Sequence, residues 1–587
     1  MAKNNKNITI RGVAASSGIA IGKVFLLEDD EFCLIQRQIS KHEIRAELSR
    51  FKEAITKTRM QMLTTKEKMV KSLGKAYSRL GDAYLLILDD PIISREAVKK
   101  IHEGINAEYA LFKVIEKVSH SFDMIEDEYF KERKHDVQDV GKKILRNLLG
   151  KDRRSLAEIK SDSIVVAHNL APSDTVLMRD HLVSGFATDI GGRTSHTAIV
   201  AQGLEIPAVV GMRNITSYVS EGETIILDGD NGIVIINPTS DTINDYKKQQ
   251  KKQAEQIREL EKLKDLPAET TDGQKVVIAS NIDDPSEIKS VVNHGAEGIG
   301  LYRTEFLYFN RTGLPTEEEH YRHYVDVAKK VSPHSVIVRT MDIGGDKVAS
   351  LGLEGVTSEV NPFMGLRAIR LCLKYPSIFK TQLRAILRAS AEENIKIMYP
   401  MISGVGELRE ANKILDEAKQ ELKREKIKFD ENIKVGVMIE VPSAALTADI
   451  IAKEVDFLSI GTNDLIQYTL AVDRVNENVA SLYQPVHLSV LRLLKSIIIA
   501  GHNAGRWVGM CGEMAGDPCF TMILAGLGLD EFSVSPAQVP KIKKIIRSIS
   551  WDEAKKLSGE ILDAKDTDAV IEKIRVCEQK GIMPKIN

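Results

Sequence analysis

Phe457-Leu458-Ser459-Ile460-Gly461-Thr462-Asn463-Asp464-Leu465-Ile466-Gln467-Tyr468 opens as a short apolar run, breaks at a glycine and resumes from Leu465. A run of this length bounded by glycine reads as a buried strand over Phe457–Gly461, with a helix beginning at Leu465. Asn463 and Asp464 then stand just past the strand, where parallel α/β folds collect their chemistry. Asp464 alone is equally well a helix cap, so its meaning depends on what the other strand ends carry.

Outward from this stretch the same alternation fills residues 270 to 587. The other strand candidates are Val276–Ile282, Gly298–Arg303, Ser335–Asp342, Met364–Arg367, Ile395–Met401, Val435–Glu440, Val508–Cys511 and Glu531–Val534. Strands alternating with amphipathic helices predict a parallel sheet, and the length and regularity favour a C-terminal (β/α)8 TIM-type barrel over 267–587. A barrel of eight strands has no place for a ninth, and Met364–Arg367 has the weakest pattern.

The strand ends are charged repeatedly: Arg303, Arg339 with Asp342, Glu440, Asn463 with Asp464, and Cys511 with Glu513, with Arg367 and Arg474 close by in sequence. Converging guanidinium groups suit a small, multiply charged anion, because their forks match carboxylate and phosphate oxygens. Glu440 and Asp464 offer hard oxygens for Mg2+. Singly, Glu440 reads equally as an ion partner and Cys511 as a core thiol; five charged strand ends on one barrel have no such plain explanation.

Upstream, residues 243–266 are rich in Lys, Gln and Glu and lack glycine, the composition of a solvated helical linker. Residues 31–149 show helical periodicity, as in Ile44, Leu48, Phe51, Ile55 and Val137, Val140, Ile144, Leu148. They predict an all-helical subdomain, with Asp82, Asp89 and Asp90 as an acidic cluster. Strand-type runs flank it at 8–27 and 163–236, so 1–30 and 150–242 are expected to form one small α/β domain with the helices inserted. Gly18 to Lys23 resembles a phosphate loop only superficially: the spacing is one short, and Val24 stands where Ser or Thr is required.

Within that domain, Gly191-Gly192-Arg193-Thr194-Ser195-His196-Thr197-Ala198-Ile199 follows an apolar run with a paired-glycine turn and two capping hydroxyls. His196 is thereby expected in the first turn of a helix, where free N–H groups favour an anion carried on its ring.

Composition narrows the class. The 587 residues suffice for three or four domains, and 81 Lys plus Arg against 83 Asp plus Glu give no support to nucleic-acid or membrane-surface binding. Cys33, Cys372, Cys511, Cys519 and Cys577 are scattered, which suggests neither a disulfide framework nor structural zinc. Met1 to Thr9 is polar and no apolar run is long enough to span a bilayer, so a cytoplasmic protein is expected.

With these residues in place, the chain resembles the enzyme I family of the bacterial phosphoenolpyruvate:sugar phosphotransferase system over essentially its full length. The segments that carry the resemblance are Gly191–Ile199, Gly298–Phe306, Val338–Lys347, Val437–Glu440, Phe457–Tyr468 and Gly509–Glu513. The glycine-histidine stretch alone would also fit the dikinases and synthases that use phosphoenolpyruvate, which need a large nucleotide-grasp domain. Ser17 departs from the family's usual proline, and Val441 varies after the glutamate.

The resemblance implies a swivelling phosphohistidine domain with His196 as the phosphorylated residue. It implies Arg303, Arg339, Asn463, Asp464 and Arg474 at phosphoenolpyruvate, Glu440 and Asp464 at Mg2+, and Cys511 as the acid that protonates the enolate. It further implies a small histidine-containing phosphocarrier protein docked on the inserted helices, and a homodimer formed through the barrel.

Overall fold

A computed structural model describes residues 7–27, 34–73, 84–123, 128–150, 159, 163–170, 183–191, 201, 206–308, 313–344, 361, 363–392, 394–474, 476 and 479–579. The chain divides into two compact units, Met1–Gln256 and Ile257–Asn587.

In the first unit eight strands make one mixed sheet: β1 (Ile8–Arg11), β2 (Val13–Ser16), β3 (Ile19–Leu27), β4 (Ser163–Ala167), β5 (Val183–Thr188), β6 (Ala208–Val210), β7 (Thr224–Asp228) and β8 (Ile233–Ile236). Their order is β1-β8-β7-β3-β4-β5-β6-β2. β3 and β4 lie side by side and parallel, so everything between Leu27 and Ser163 is the crossover joining two neighbouring strands. Among the described residues that crossover includes the helices Ile44–Leu73, Pro91–His102, Ala107–Asp123 and Glu128–Leu149. They enclose their own core, which includes Phe51, Ile101, Leu111, Val114, Val140 and Ile144. The helical period read along the chain is the period of this core.

The helix Ser240–Glu261 covers most of the stretch expected as a solvated spacer. Ile243 and Tyr246 pack beside Ile19, Ile226 and Ile235. Gln250 Nε2 donates to Ile19 O at 2.9 Å and Gln253 Nε2 to Asp230 Oδ2 at 2.7 Å. Further on, Lys544 pairs with Glu259 at 3.4 Å and Lys543 Nζ donates to Lys264 O at 2.9 Å within the second unit. A few apolar and amide side chains on one face suffice to seat a polar helix on a sheet.

The second unit is a closed, all-parallel barrel: β9 (Val277–Ile282), β10 (Gly298–Tyr302), β11 (Ser335–Arg339), β12 (Ile395–Tyr399), β13 (Lys434–Ile439), β14 (Phe457–Ile460), β15 (Trp507–Met510) and β16 (Glu531–Val534), with β16 paired back to β9. Leu301, Ile337, Met398, Met438, Phe457 and Cys511 form a cluster across the barrel, with Trp507 packed against it. The remaining strand faces pack on surrounding helices in a far larger core. Met364–Arg367 is the candidate that is no strand: its residues turn, and Arg367 immediately precedes the helix Ala368–Lys374.

Among the described residues no helix is long and apolar enough to cross a membrane.

Candidate active site

Because every barrel strand runs the same way, the residues that follow the strands share one rim. Arg303 follows β10 and donates through Nη1 to Asp283 Oδ1 at 2.8 Å. Arg339 ends β11 and is buried, with Nη2 3.1 Å from Glu305 Oε2 and Nη1 3.0 Å from Asp342 Oδ2. Burial alone would weaken its charge, but Glu305 and Asp342 outweigh that and hold the guanidinium firmly protonated. Its Nε is buried with no partner among the described residues, a donor available to a ligand.

Glu440 follows β13 and is almost fully buried, Oε1 accepting from Met401 N–H at 2.6 Å. Burial, then the charges of Asp464 and Asp342, push its carboxyl up to about 8. A buried acid facing another carboxylate is short of positive charge. A hard divalent cation supplies that charge, so Glu440 and Asp464 fit Mg2+ by their chemistry. Two carboxylates suffice, because Mg2+ commonly keeps waters and substrate oxygens as its other ligands. Among the described residues no group of three or more His, Cys, Asp or Glu could hold a metal unaided. Gly461 leaves the space: a Cβ there would lie 2.7 Å from Glu440 Oε2.

Asp464 lies in the first turn of the helix Thr462–Leu470, and its neighbour Asn463 ties the ends of β14 and β15 together. Asn463 Nδ2 donates to Glu513 Oε1 at 3.0 Å while its Oδ1 accepts from Glu513 N–H at 2.9 Å. Arg474 stands at 4.0 Å from Asp464 and 3.9 Å from Glu513.

Cys511 follows β15 and is buried. Burial raises its thiol to about 11, although a hydrogen bond from Ser459 Oγ at 3.4 Å works the other way. It therefore stays protonated across the physiological range, as a proton donor must. Asn281 Nδ2 donates to Cys511 O at 3.0 Å and fixes the backbone there.

The structure adds Arg367, named from sequence only as a neighbour of the charged ends. Its Nη2 donates to Asp342 Oδ1 at 3.0 Å and to Asp464 Oδ2 at 3.1 Å, and Nη1 donates to Tyr468 OH at 3.3 Å. The signal was present in the surplus strand candidate, which ends on this arginine.

In the first unit, the paired-glycine turn starts from a braced strand end. Asp189, just past β5, accepts from Thr216 N–H at 3.1 Å and Thr216 Oγ1 at 2.6 Å, and lies 3.0 Å from His168 Nδ1. Gly191 then takes φ +128°, and a Cβ at Gly211 would come within 2.6 Å of Gly191 O. His196 itself, and Asp82, lie outside the described residues. Of the acidic cluster, Asp90 caps the helix Pro91–His102 by accepting from Ile92 N–H at 2.8 Å, and Asp89 pairs with Arg59 at 2.9 Å. Both have structural work of their own.

Three family models match consecutive parts of the chain: PEP-utilising enzyme, N-terminal, over 11–133; the mobile domain over 159–232; and the PEP-binding domain over 257–551. The barrel fold and these family matches thus define a phosphoenolpyruvate-utilising enzyme. Among relatives, the phosphoenolpyruvate-protein phosphotransferase of Priestia megaterium is 45% identical over 96% of this chain and 98% of its own length. That of Bacillus subtilis is 46% identical, again over 96% of this chain and 98% of its own. The Staphylococcus aureus enzyme of the same name is 44% identical with the same coverage. The chain belongs to the phosphoenolpyruvate-protein phosphotransferase family.

Proposed function

We propose that this protein transfers the phosphoryl group of phosphoenolpyruvate to His196 and then to a histidine-containing phosphocarrier protein, releasing pyruvate as the first step of phosphotransferase sugar uptake. The observation that carries this reading is one barrel mouth holding Arg339, Arg367 and Arg474, the Glu440 and Asp464 carboxylates, and a protonated Cys511.

Arg303, Arg339, Asn463 and Arg474 grip the carboxylate and phosphoryl oxygens, with Arg367 as a further cation. Glu440 and Asp464 hold Mg2+, which when bound offsets phosphoryl charge. A ring nitrogen of neutral His196 attacks phosphorus as the bond from phosphorus to the enol oxygen breaks. The enolate left behind takes the Cys511 proton at its methylene carbon, giving pyruvate and a thiolate that solvent reprotonates.

The proposed division of labour assigns 1–30 and 150–242 to the phosphohistidine domain, 31–149 to carrier docking and 267–587 to phosphoenolpyruvate. Exposed apolar side chains on the helical block, among them Met60, Leu63, Leu86 and Ile92, support a docking role. A cytoplasmic homodimer joined through the barrel completes the reading.

Incubation with phosphoenolpyruvate and Mg2+ should add one acid-labile, alkali-stable phosphoryl group that maps to His196. His196→Gln should take none while still binding phosphoenolpyruvate, because an amide lacks the nucleophilic nitrogen. Label on a different residue overturns the assignment.

A further inference from the structure

Gln382 sits on the helix Pro376–Ala389, outside the barrel wall, with no exposed surface. Its amide oxygen accepts from Met341 N–H at 2.9 Å. Its amide nitrogen spends both hydrogens, donating to Thr304 Oγ1 at 3.0 Å and to Tyr324 OH at 3.1 Å. Thr304 Oγ1 in turn donates to Arg339 O at 3.1 Å, and both Thr304 and Tyr324 are fully buried.

These partners are informative by position. Thr304 directly follows Arg303 at the end of β10, and Met341 lies two residues past Arg339 at the end of β11. Beyond Arg339 the chain has left the strand, so the backbone there needs partners from elsewhere. One side chain from an outer helix supplies the partner of Met341 N–H and, through the Thr304 hydroxyl, holds the segment after β10 as well. On the front, Asp342 N–H donates to Glu305 Oε1 at 2.8 Å while Glu305 Oε2 pairs with Arg339 at 3.1 Å. The amide is braced in turn: Tyr324 OH lies 2.8 Å from His320 Nδ1, and His320 Nε2 lies 3.3 Å from Tyr308 OH. A helix seeking only core packing at this point would do as well with leucine or methionine, since a buried amide adds little beyond the groups it satisfies.

We infer that Gln382 is a positioning residue for anion binding: it clasps the turns after β10 and β11 so that Arg303, Arg339 and Asp342 face the mouth in fixed register. It touches no substrate. The inference rests on the proposed reading of the mouth as the phosphoenolpyruvate site.

Gln382→Met keeps the volume and deletes all three hydrogen bonds. The KM and Kd for phosphoenolpyruvate should rise by about tenfold or more, with kcat at saturation within about threefold, because the grip on the ground state is lost while His196 and Cys511 are untouched. Thr304→Val, on a different element, should give the same KM-selective fault, and carries the test alone if Gln382→Met does not fold. The double variant should be little worse than the poorer single one, as expected for two links of one chain. A lowered Tm with KM and Kd unchanged, or a fall in kcat alone, overturns the inference. Arg339→Met run in parallel separates the two readings. Normal phosphoenolpyruvate binding by that variant defeats the assignment of the mouth itself. Lost binding there, with Gln382→Met normal, defeats only the role of Gln382.

Discussion

Arg367 Nη2 lies 3.1 Å from Asp464 Oδ2, joining a turn that belongs to no barrel strand to the helix that follows β14. The same nitrogen also reaches Asp342 at 3.0 Å, so one guanidinium bridges two carboxylates of the mouth. Lysine could set one nitrogen between them but lacks the Nε and Nη1 donors that also hold Asp342 and Tyr468 OH, each at 3.3 Å. Arg367→Lys should raise the KM for phosphoenolpyruvate by about tenfold or more, and Arg367→Met should also cost the barrel about 3–5 kcal/mol by stranding buried charge. Steady-state kinetics with thermal unfolding decide it. Wild-type KM in the lysine variant would remove Arg367 from the site.

Glu440→Gln keeps an acceptor for Met401 N–H but removes a carboxylate whose charge is opposed by burial and by Asp464 and Asp342. Without metal the variant should therefore unfold at a higher temperature than the wild type. Its Mg2+ requirement should rise by about tenfold or more, as should that of Asp464→Asn. Unchanged Mg2+ dependence in both would place the metal elsewhere.

Cys511→Ser substitutes a far weaker acid at a spot where the thiol already stays protonated up to about pH 11. Pyruvate formation should fall by about a hundredfold or more, with the Kd for phosphoenolpyruvate within about threefold. Equal damage to both would mean that Cys511 serves packing.

Glu531, at the start of β16, is a buried acid remote from the proposed chemistry. Burial first, then Asp530, raises its carboxyl from 4.5 to about 7 despite the opposing pull of Lys396. A raised carboxyl binds its proton more tightly in the folded state. Its stabilising contribution is complete below pH 4.5 and is lost as pH climbs through 7. Between pH 5 and 8 the barrel should lose about 2–3 kcal/mol through this group, and Glu531→Gln should abolish that part of the slope. Parallel pH–stability curves for the two proteins would refute it.

Cleavage between Gln253 and Glu259 should yield two folded pieces, since the contacts on either side belong to separate units. Cutting at 245 should instead destabilise the first piece, which would lose Tyr246 and Gln250 from its sheet. The first piece should exchange phosphoryl groups with phosphorylated carrier but take none from phosphoenolpyruvate. Mixing the pieces should restore only slow, concentration-dependent transfer, because the tether that supplies a roughly millimolar effective concentration is gone. Labelling of the first piece alone by phosphoenolpyruvate would break this scheme.

Most of the architecture was legible along the chain, because it follows from local patterns. A parallel barrel writes each strand as a contiguous apolar run, so Arg303, Arg339, Glu440, Asp464 and Cys511, at or just after those runs, could be assigned to one rim. The helical insertion was equally plain, its period of apolar residues being that of a core it builds from its own helices. Contacts between distant segments were not legible. Arg367 enters the mouth from a turn, so its role depends on Asp342 and Asp464 being brought to it by the closure of the barrel. Gln382 looks like any polar residue in an amphipathic helix until packing buries it against two strand ends. The sequence by itself determined which groups the protein brings to its site, through short-range periodicity and motif spacing. Only the tertiary structure decided which carboxylate each arginine faces and how far Glu440 and Cys511 are desolvated, because pairing and burial are set by neighbours tens to hundreds of residues away.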